Sequence, residues 1–368
     1  MAETVPPSGP QGAGGPPQIE IDPRFAKAID PASPPPVRMM AARGIVPGAK
    51  PADILAIQYS LSFDPDANVS GAAAKALADT PPNIIRGAVT DKTHGGIIDV
   101  FARRHSGDED LLEFLVLRRL ITDDTLAYLA ETTPSLKIVE IIGKNQERLL
   151  QNVKIFDALK KNPVTPKSLV DVTIAFLQMA GVLPMGAEAR AAGLPDRIDS
   201  KLVEQVIGDE EFDESLTSEA SSDVEASEEE KKTLTQKIAA MNRAQRIKLA
   251  FKANKEARGL LLRDSSRQVV DAVLNSGRMT DPEVIALAMN PVTQTEVLRS
   301  IDKNRDWTKT YVVQKALATN PKTPQAIAMK WIKQLRFGDM QAAARSTNVP
   351  PAIRAIARQI IEEKQKNR

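Results

Sequence analysis

Apolar residues recur along this chain at helical spacing, and in its second half they keep one repeated phase. Val269, Val270, Val273 and Leu274 fall at i, i+1, i+4 and i+5, as do Val312, Val313, Ala316 and Leu317, and again Ile327, Ala328, Trp331 and Ile332. Each stripe is narrow and each segment is too short to stay helical in water alone, so the three helices are expected to stack on one another. In the first half Leu111–Leu120, Asp123–Ala130, a stretch ending near Ile142, and Val153–Leu159 read the same way. Ile54, Leu55 and Tyr59, then the Ala-rich run Ala72–Ala78, mark earlier helices. A Gly-containing loop is expected around His94-Gly95-Gly96, and residues 181–198, broken by Gly181, Pro184, Gly186, Gly193 and Pro195, read as irregular. Alternating strand patterns are missing.

The helical segments are separated by a recurring punctuation. Ala316-Leu317-Ala318-Thr319-Asn320-Pro321-Lys322-Thr323-Pro324 echoes Ala286-Leu287-Ala288-Met289-Asn290-Pro291-Val292-Thr293, thirty residues earlier, and Ala158-Leu159-Lys160-Lys161-Asn162-Pro163-Val164-Thr165-Pro166 in the first half. Asn tolerates a helix end and the following Pro cannot continue the helix. Thr is then expected to cap the next helix, with Pro at its first position. On this reading Thr323→Ala costs about 1 kcal/mol and Asn320→Ala less. Between Asn290 and Asn320 there is room for two helices, about 294–303 and 307–319. The unit is thus a helix pair of about thirty residues.

The two halves also match at longer range. Residues 121–130 pair with 279–288, Ile142-Gly143-Lys144-Asn145 with Ile301-Asp302-Lys303-Asn304, and Asn162-Pro163 with Asn320-Pro321, at offsets of 158, 159 and 158. A duplicated array follows. The rhythm Ala-Leu-Ala-x-Asn-Pro-x-Thr-Pro, with Arg267-Gln268-Val269-Val270-Asp271-Ala272-Val273-Leu274 upstream, resembles bacterial leucine-rich-repeat-variant and HEAT-like α-solenoids over roughly residues 110–177 and 260–365. The resemblance implies architecture rather than activity. Some variant-repeat proteins carry a cysteine-ligated iron–sulfur module; this chain has no cysteine, so that feature does not carry over.

Composition divides the chain further. Residues 1–50 hold Pro6, Pro7, Pro10, Pro16, Pro17, Pro23, Pro31, Pro34, Pro35, Pro36 and Pro47 among Gly and Ala and read as a disordered tail. Pro34-Pro35-Pro36 suits a polyproline II turn for an SH3-like partner, although a plain leader is the commoner outcome. Residues 51–203 form an N-terminal helical-repeat domain and carry a net charge of −2 together with the tail. Residues 204–230 carry twelve acidic and no basic groups and read as a disordered linker; residues 231–368, at +16, form a basic C-terminal helical-repeat domain. The fold class expected is therefore all-α, with two α-solenoid arrays of stacked helix pairs, a disordered N-terminal tail and an acidic linker. The start lacks a basic n-region and an apolar h-region, and no apolar run reaches the length of a bilayer span, so a cytoplasmic protein is expected.

Catalytic chemistry finds little footing. His94 and His105 are the only histidines, and without cysteine they do not make a zinc set. Asp108-Glu109-Asp110 lacks the ladder of a calcium loop and reads as a helix start complementing the macrodipole. Phosphate-binding, dinucleotide-binding and nucleophile-elbow motifs are missing. No enzyme and no cofactor is expected. Binding falls instead to the basic half, where Lys303, Arg305, Trp307, Lys309 and Tyr311 mix cations with aromatics, as do Lys330, Lys333 and Arg336 around Trp331. Trp331 itself lies on the apolar stripe and is expected in the core. The favoured reading is a non-enzymatic scaffold binding protein partners on its solenoid surface. The alternative is nucleic-acid binding, RNA or DNA, through residues 231–368, with the acidic linker as internal competitor.

Overall fold

The computed structural model describes residues 19–218 and 228–366. Among them are 26 α-helices, one short 3-10 helix and no strand, so the chain is all-α. By its internal contacts it divides into two compact units that meet between Val170 and Asp171. That boundary lies well before the 204–230 stretch that charge marks as a linker, and residues 171–203 belong with the second unit.

In the first unit, residues 19–50 are folded rather than tail-like, while residues 1–18 of the expected tail lie outside the described residues. Asp22 caps the turn Pro23–Phe25, and Pro35–Ala42 is a helix with Pro at its start, where a missing N–H costs nothing. Arg38 forks onto Asp64, both side chains buried, and also donates from Nε to the Ser33 carbonyl at 3.0 Å. Phe25, Ala41 and Ala42 share a core with Ile57, Leu61, Val69 and Ala73. The prolines misled because several stand at helix starts instead of inside helices. A second difference concerns His94-Gly95-Gly96, which opens the Gly95–Arg104 helix instead of forming a loop. His94 Nδ1 accepts from the Gly96 N–H at 3.1 Å. Both glycines are required by close approach: a Cβ on Gly95 would stand 2.5 Å from the Leu120 carbonyl oxygen, and one on Gly96 1.8 Å from the Tyr59 hydroxyl.

The duplication read from the sequence recurs in the elements. Asp123–Thr132, Leu136–Lys144, Gln146–Gln151, Lys154–Lys161 and Lys167–Met179 correspond to Asp281–Met289, Thr295–Lys303, Arg305–Thr308, Tyr311–Thr319 and Gln325–Ile332. Within each set, the first and fourth helices pack on one another. A side chain from the punctuation ties them end to end. Asn162 donates from Nδ2 to the carbonyls of Ala130 and Thr133 at 2.9 and 2.8 Å. Asn320 donates likewise to Ala288 and Asn290 at 2.7 and 2.9 Å. Each asparagine thereby supplies donors to the terminal carbonyls of an earlier helix, which have no partner inside that helix. Its Oδ1 accepts a backbone N–H two residues on, from Val164 and Lys322 respectively, which closes its own turn.

The threonine of the punctuation does not cap. Pro324, not Thr323, stands at the N-cap of Gln325–Ile332, and the buried Thr323 hydroxyl finds no hydrogen-bond partner; nor does that of Thr165. Thr293 donates instead to the Leu287 carbonyl at 2.8 Å. The same turn is built once more at Ser346–Val349, with buried Val349 preceding Pro350 as Thr323 precedes Pro324. Thr165, Thr293, Thr323 and Val349 share a β-branched side chain at this position.

Much of the acidic stretch is structured as well. Ser200–Ile207 and Glu214–Thr217 are helical, and Leu216 is fully buried; residues 219–227 lie outside the described residues. Asn254 donates to the carbonyls of Ser215 and Ser218 at 2.9 and 3.0 Å, a third bridge of the same kind. Glu210 pairs with Lys248 at 2.8 Å and Asp213 with Lys237 at 2.7 Å. Beyond it, Arg258 and Glu283 form a bidentate pair, 3% and 12% exposed, between the Lys255–Leu261 and Asp281–Met289 helices.

These contacts reverse the expected order of costs. Asn320→Ala should lower stability by about 2–3 kcal/mol, since two buried carbonyls lose their donors. Thr323→Val should leave it unchanged or raise it by up to about 1 kcal/mol, by removing an unpaired buried hydroxyl. Urea midpoints test both; a larger loss for Thr323→Val than for Asn320→Ala would overturn the assignment. A fragment of residues 171–368 should unfold cooperatively, and one of residues 231–368 should have a lower midpoint because Asn254 loses both acceptors. Equal midpoints would show that residues 171–230, the Asn254 acceptors among them, add nothing to the unit's stability.

Candidate partner-binding edge

The basic–aromatic residues singled out in the sequence lie where helices turn. Asn304 ends Thr295–Lys303 and starts the short Arg305–Thr308 helix, its Oδ1 accepting from the N–H groups of Asp306 and Trp307 at 3.0 and 3.4 Å. The expected 307–319 helix is therefore two pieces, the second being Tyr311–Thr319 with Thr310 at its N-cap position. One repeat later, Lys333–Arg336 joins Gln325–Ile332 to Phe337–Arg345.

Two clusters bring these turns side by side. Trp331 Nε1 donates to Asp302 Oδ1 at 2.7 Å, and Lys330 Nζ reaches the same oxygen at 2.9 Å. The Tyr311 hydroxyl donates to Asp339 Oδ2 at 2.6 Å and accepts from the Arg336 backbone N–H at 3.0 Å, while Lys315 holds the other Asp339 oxygen at 2.7 Å. These bonds bring the stretches 302–311 and 330–339, which carry the eight candidates, together in the second unit. Lys303, Arg305, Lys309, Lys330, Lys333 and Arg336 are exposed; Trp307 and Tyr311 are half-buried. Trp331 is core, as its stripe predicts. Both bonded rings also carry a cation on the face: Lys330 Nζ lies 4.3 Å from the Trp331 centroid and Arg336 Cζ 4.6 Å from that of Tyr311.

Charge on the edge is interleaved. Lys309 pairs with Asp306 at 2.7 Å, and its hydrogen bond, together with the field of Arg197, holds the Asp306 carboxyl below its usual value. Lys315 and the Tyr311 hydroxyl do the same for Asp339. Burial, then the hydrogen bond to Asp339, pushes the Tyr311 phenol up. Lys303, Arg305 and Lys333 make no ion pair among the described residues. The sequence reading missed the acids Asp302, Asp306 and Asp339, although Asp302 and Asp306 directly flank the basic run. Arg197 carries no sequence signal, because it comes from a distant stretch of the same unit.

The two histidines serve helix ends in the first unit: His94 caps Gly95–Arg104 and His105 closes it. Asp108 caps Glu109–Val116 through a 2.9 Å bond from the Leu111 N–H, as a helix start should. Among the described residues there is no metal-ligand cluster and no helix long and apolar enough to cross a membrane. No protein family, curated protein or solved structure matches the chain.

The Tyr311–Asp339 contact gives a spectroscopic test. The phenol should ionise above the ordinary tyrosine value of about 10, because the folded state keeps its proton. Its contribution to stability should accordingly weaken as pH rises beyond that value. Asp339→Asn, by removing the negative charge, should bring the ionisation down. Phenolate absorbance, taken as the difference from Tyr311→Phe, measures it; an unmoved Asp339→Asn curve would dismiss the coupling.

Proposed function

We propose that the chain is a non-enzymatic α-solenoid scaffold that binds protein partners on its surface, with the basic edge of the second unit as one contact. The observation that carries this reading is the asparagine bridge. By tying the end of one helix to the end of its counterpart in the preceding pair, it keeps successive pairs in register. Side chains at equivalent turns then recur along one edge, an extended surface suited to another chain rather than to a small substrate. Nucleic-acid binding has the +16 charge of residues 231–368 in its favour. Against it, Trp331 is buried and Tyr311 already carries Arg336, which leaves half-buried Trp307 and exposed Phe337 for base stacking on this edge.

Affinity capture with the full chain, with and without nuclease, tests the scaffold reading. The expected result is a defined set of proteins retained equally after nuclease. Loss of the whole set on nuclease treatment would transfer the function to nucleic acid, and retention of none would remove the scaffold reading. The triple variant Lys303→Ser/Arg305→Ser/Lys333→Ser should deplete part of the set while leaving the helical circular dichroism unchanged.

A further inference from the structure

Resting on that reading, we infer that the edge formed by Lys303, Arg305, Lys333 and Arg336 takes an extended acidic polypeptide segment whose carboxylates are spaced one per helix pair. The first argument is spacing. The Asp302–Trp331 and Tyr311–Arg336 contacts put the two turns on adjacent rungs. Packed helices stand about 8–10 Å apart. A polyproline II segment has three residues per turn and rises about 3.1 Å per residue, so every third side chain returns to one face after about 9 Å. A carboxylate at every third residue therefore meets one rung after another.

Second, the cations are not all accounted for by the fold. Lys303 and Lys333 lie at helix C-terminal ends, where a cation is favoured without any ligand. Arg305 opens a helix, and Arg336 is the N-cap residue of Phe337–Arg345. At those ends the helix dipole opposes a cation. Arg305 has no ion pair among the described residues, and Arg336 spends its guanidinium on the Tyr311 ring.

Third, the interleaved acids choose between polyanions. Asp302, Asp306 and Asp339 stand between the cations and hold Lys330, Lys309 and Lys315. A nucleic-acid strand presents phosphates closely and uniformly, so some must face those carboxylates. A peptide with uncharged residues between its acids avoids them. Specificity then comes from the repulsive groups as much as from the attractive ones. With Trp331 buried and Arg336 over the Tyr311 ring, stacking on this edge is left to Trp307 and Phe337, so a base gains less to offset that repulsion.

The experiment uses the full chain and three fluorescent probes at low salt, followed by anisotropy. One peptide repeats Glu-Ser-Pro four times; a second has the same composition with its glutamates in one block; the third is a short single-stranded oligothymidylate. The spaced peptide should bind several-fold tighter than the block peptide, and the triple Lys303→Ser/Arg305→Ser/Lys333→Ser variant should weaken it about tenfold. Added salt should weaken it too. Equal affinity for the two peptides, no binding of either, or no effect of the triple variant would overturn the proposal. Tighter binding of the oligonucleotide, lost in the variant, would assign the edge to nucleic acid instead. If the spaced peptide fails while nuclease-resistant capture of proteins persists, only the acidic-segment assignment falls; failure of both removes the scaffold reading.

Discussion

A chain built from short helices leaves an unusually large share of its backbone at helix ends, and every end exposes carbonyls that no neighbour within the helix can satisfy. Burying those ends against another helix pair is costly unless donors are supplied. Asn162, Asn254 and Asn320 supply them, two hydrogen bonds each, across 29 to 39 residues of sequence. In Asn162 and Asn320 one amide thus ends its own helix, closes the turn after it and docks that turn on an earlier helix, while Asn254 caps the start of Lys255–Leu261. Packing of the narrow apolar faces holds the helices together, but the amides decide how they are aligned along their axes.

Local phase was legible because a narrow helical face leaves a clear imprint. Val269, Val270, Val273 and Leu274 are buried as their spacing requires. Val312, at 44% exposure, departs from that phase, while Val313, Ala316 and Leu317 beside it are buried. What the sequence could not say was which polar residue of the punctuation bonds to what. Asparagine and threonine both have plausible local roles at a helix boundary, and the partners that decide between them lie about thirty residues away. Val349 was a readable clue: a valine before Pro350 has no hydroxyl to offer as a cap. Composition misled at residues 19–50 and again at 204–218. Prolines in the first and acids in the second sit beside a few apolar residues, Phe25 and Leu216 among them, that are enough to anchor the segment.

The candidate edge was legible as a set of residues and not as an arrangement. Cations and aromatics in two stretches were visible, and the structure does bring the stretches together. The aromatics turn out to belong to the scaffold: Trp331 and Tyr311 hold adjacent turns through Asp302 and Asp339. The same carboxylates that fix the turns also interrupt the positive charge. Positioning and charge pattern come from one set of residues, so neither can drift without the other.

Not every Asn-Pro turn makes such a bridge. Asn290 has the same Asn-Pro context as Asn162 and Asn320, yet it is exposed and only closes its own turn through the Val292 N–H. Between the Lys255–Leu261 and Asp281–Met289 helices the buried connection is the Arg258–Glu283 pair. Burial alone would raise the Glu283 carboxyl, but Arg258 and the Thr280 hydrogen bonds outweigh it and hold the carboxyl below its usual value. Its contribution is complete above the ordinary glutamate value and fades as pH falls through the depressed one. Amide bridges do not titrate. Acid therefore loosens this joint, together with the carboxylate contacts of Asp339 and Asp213, while sparing the asparagine-tied ones.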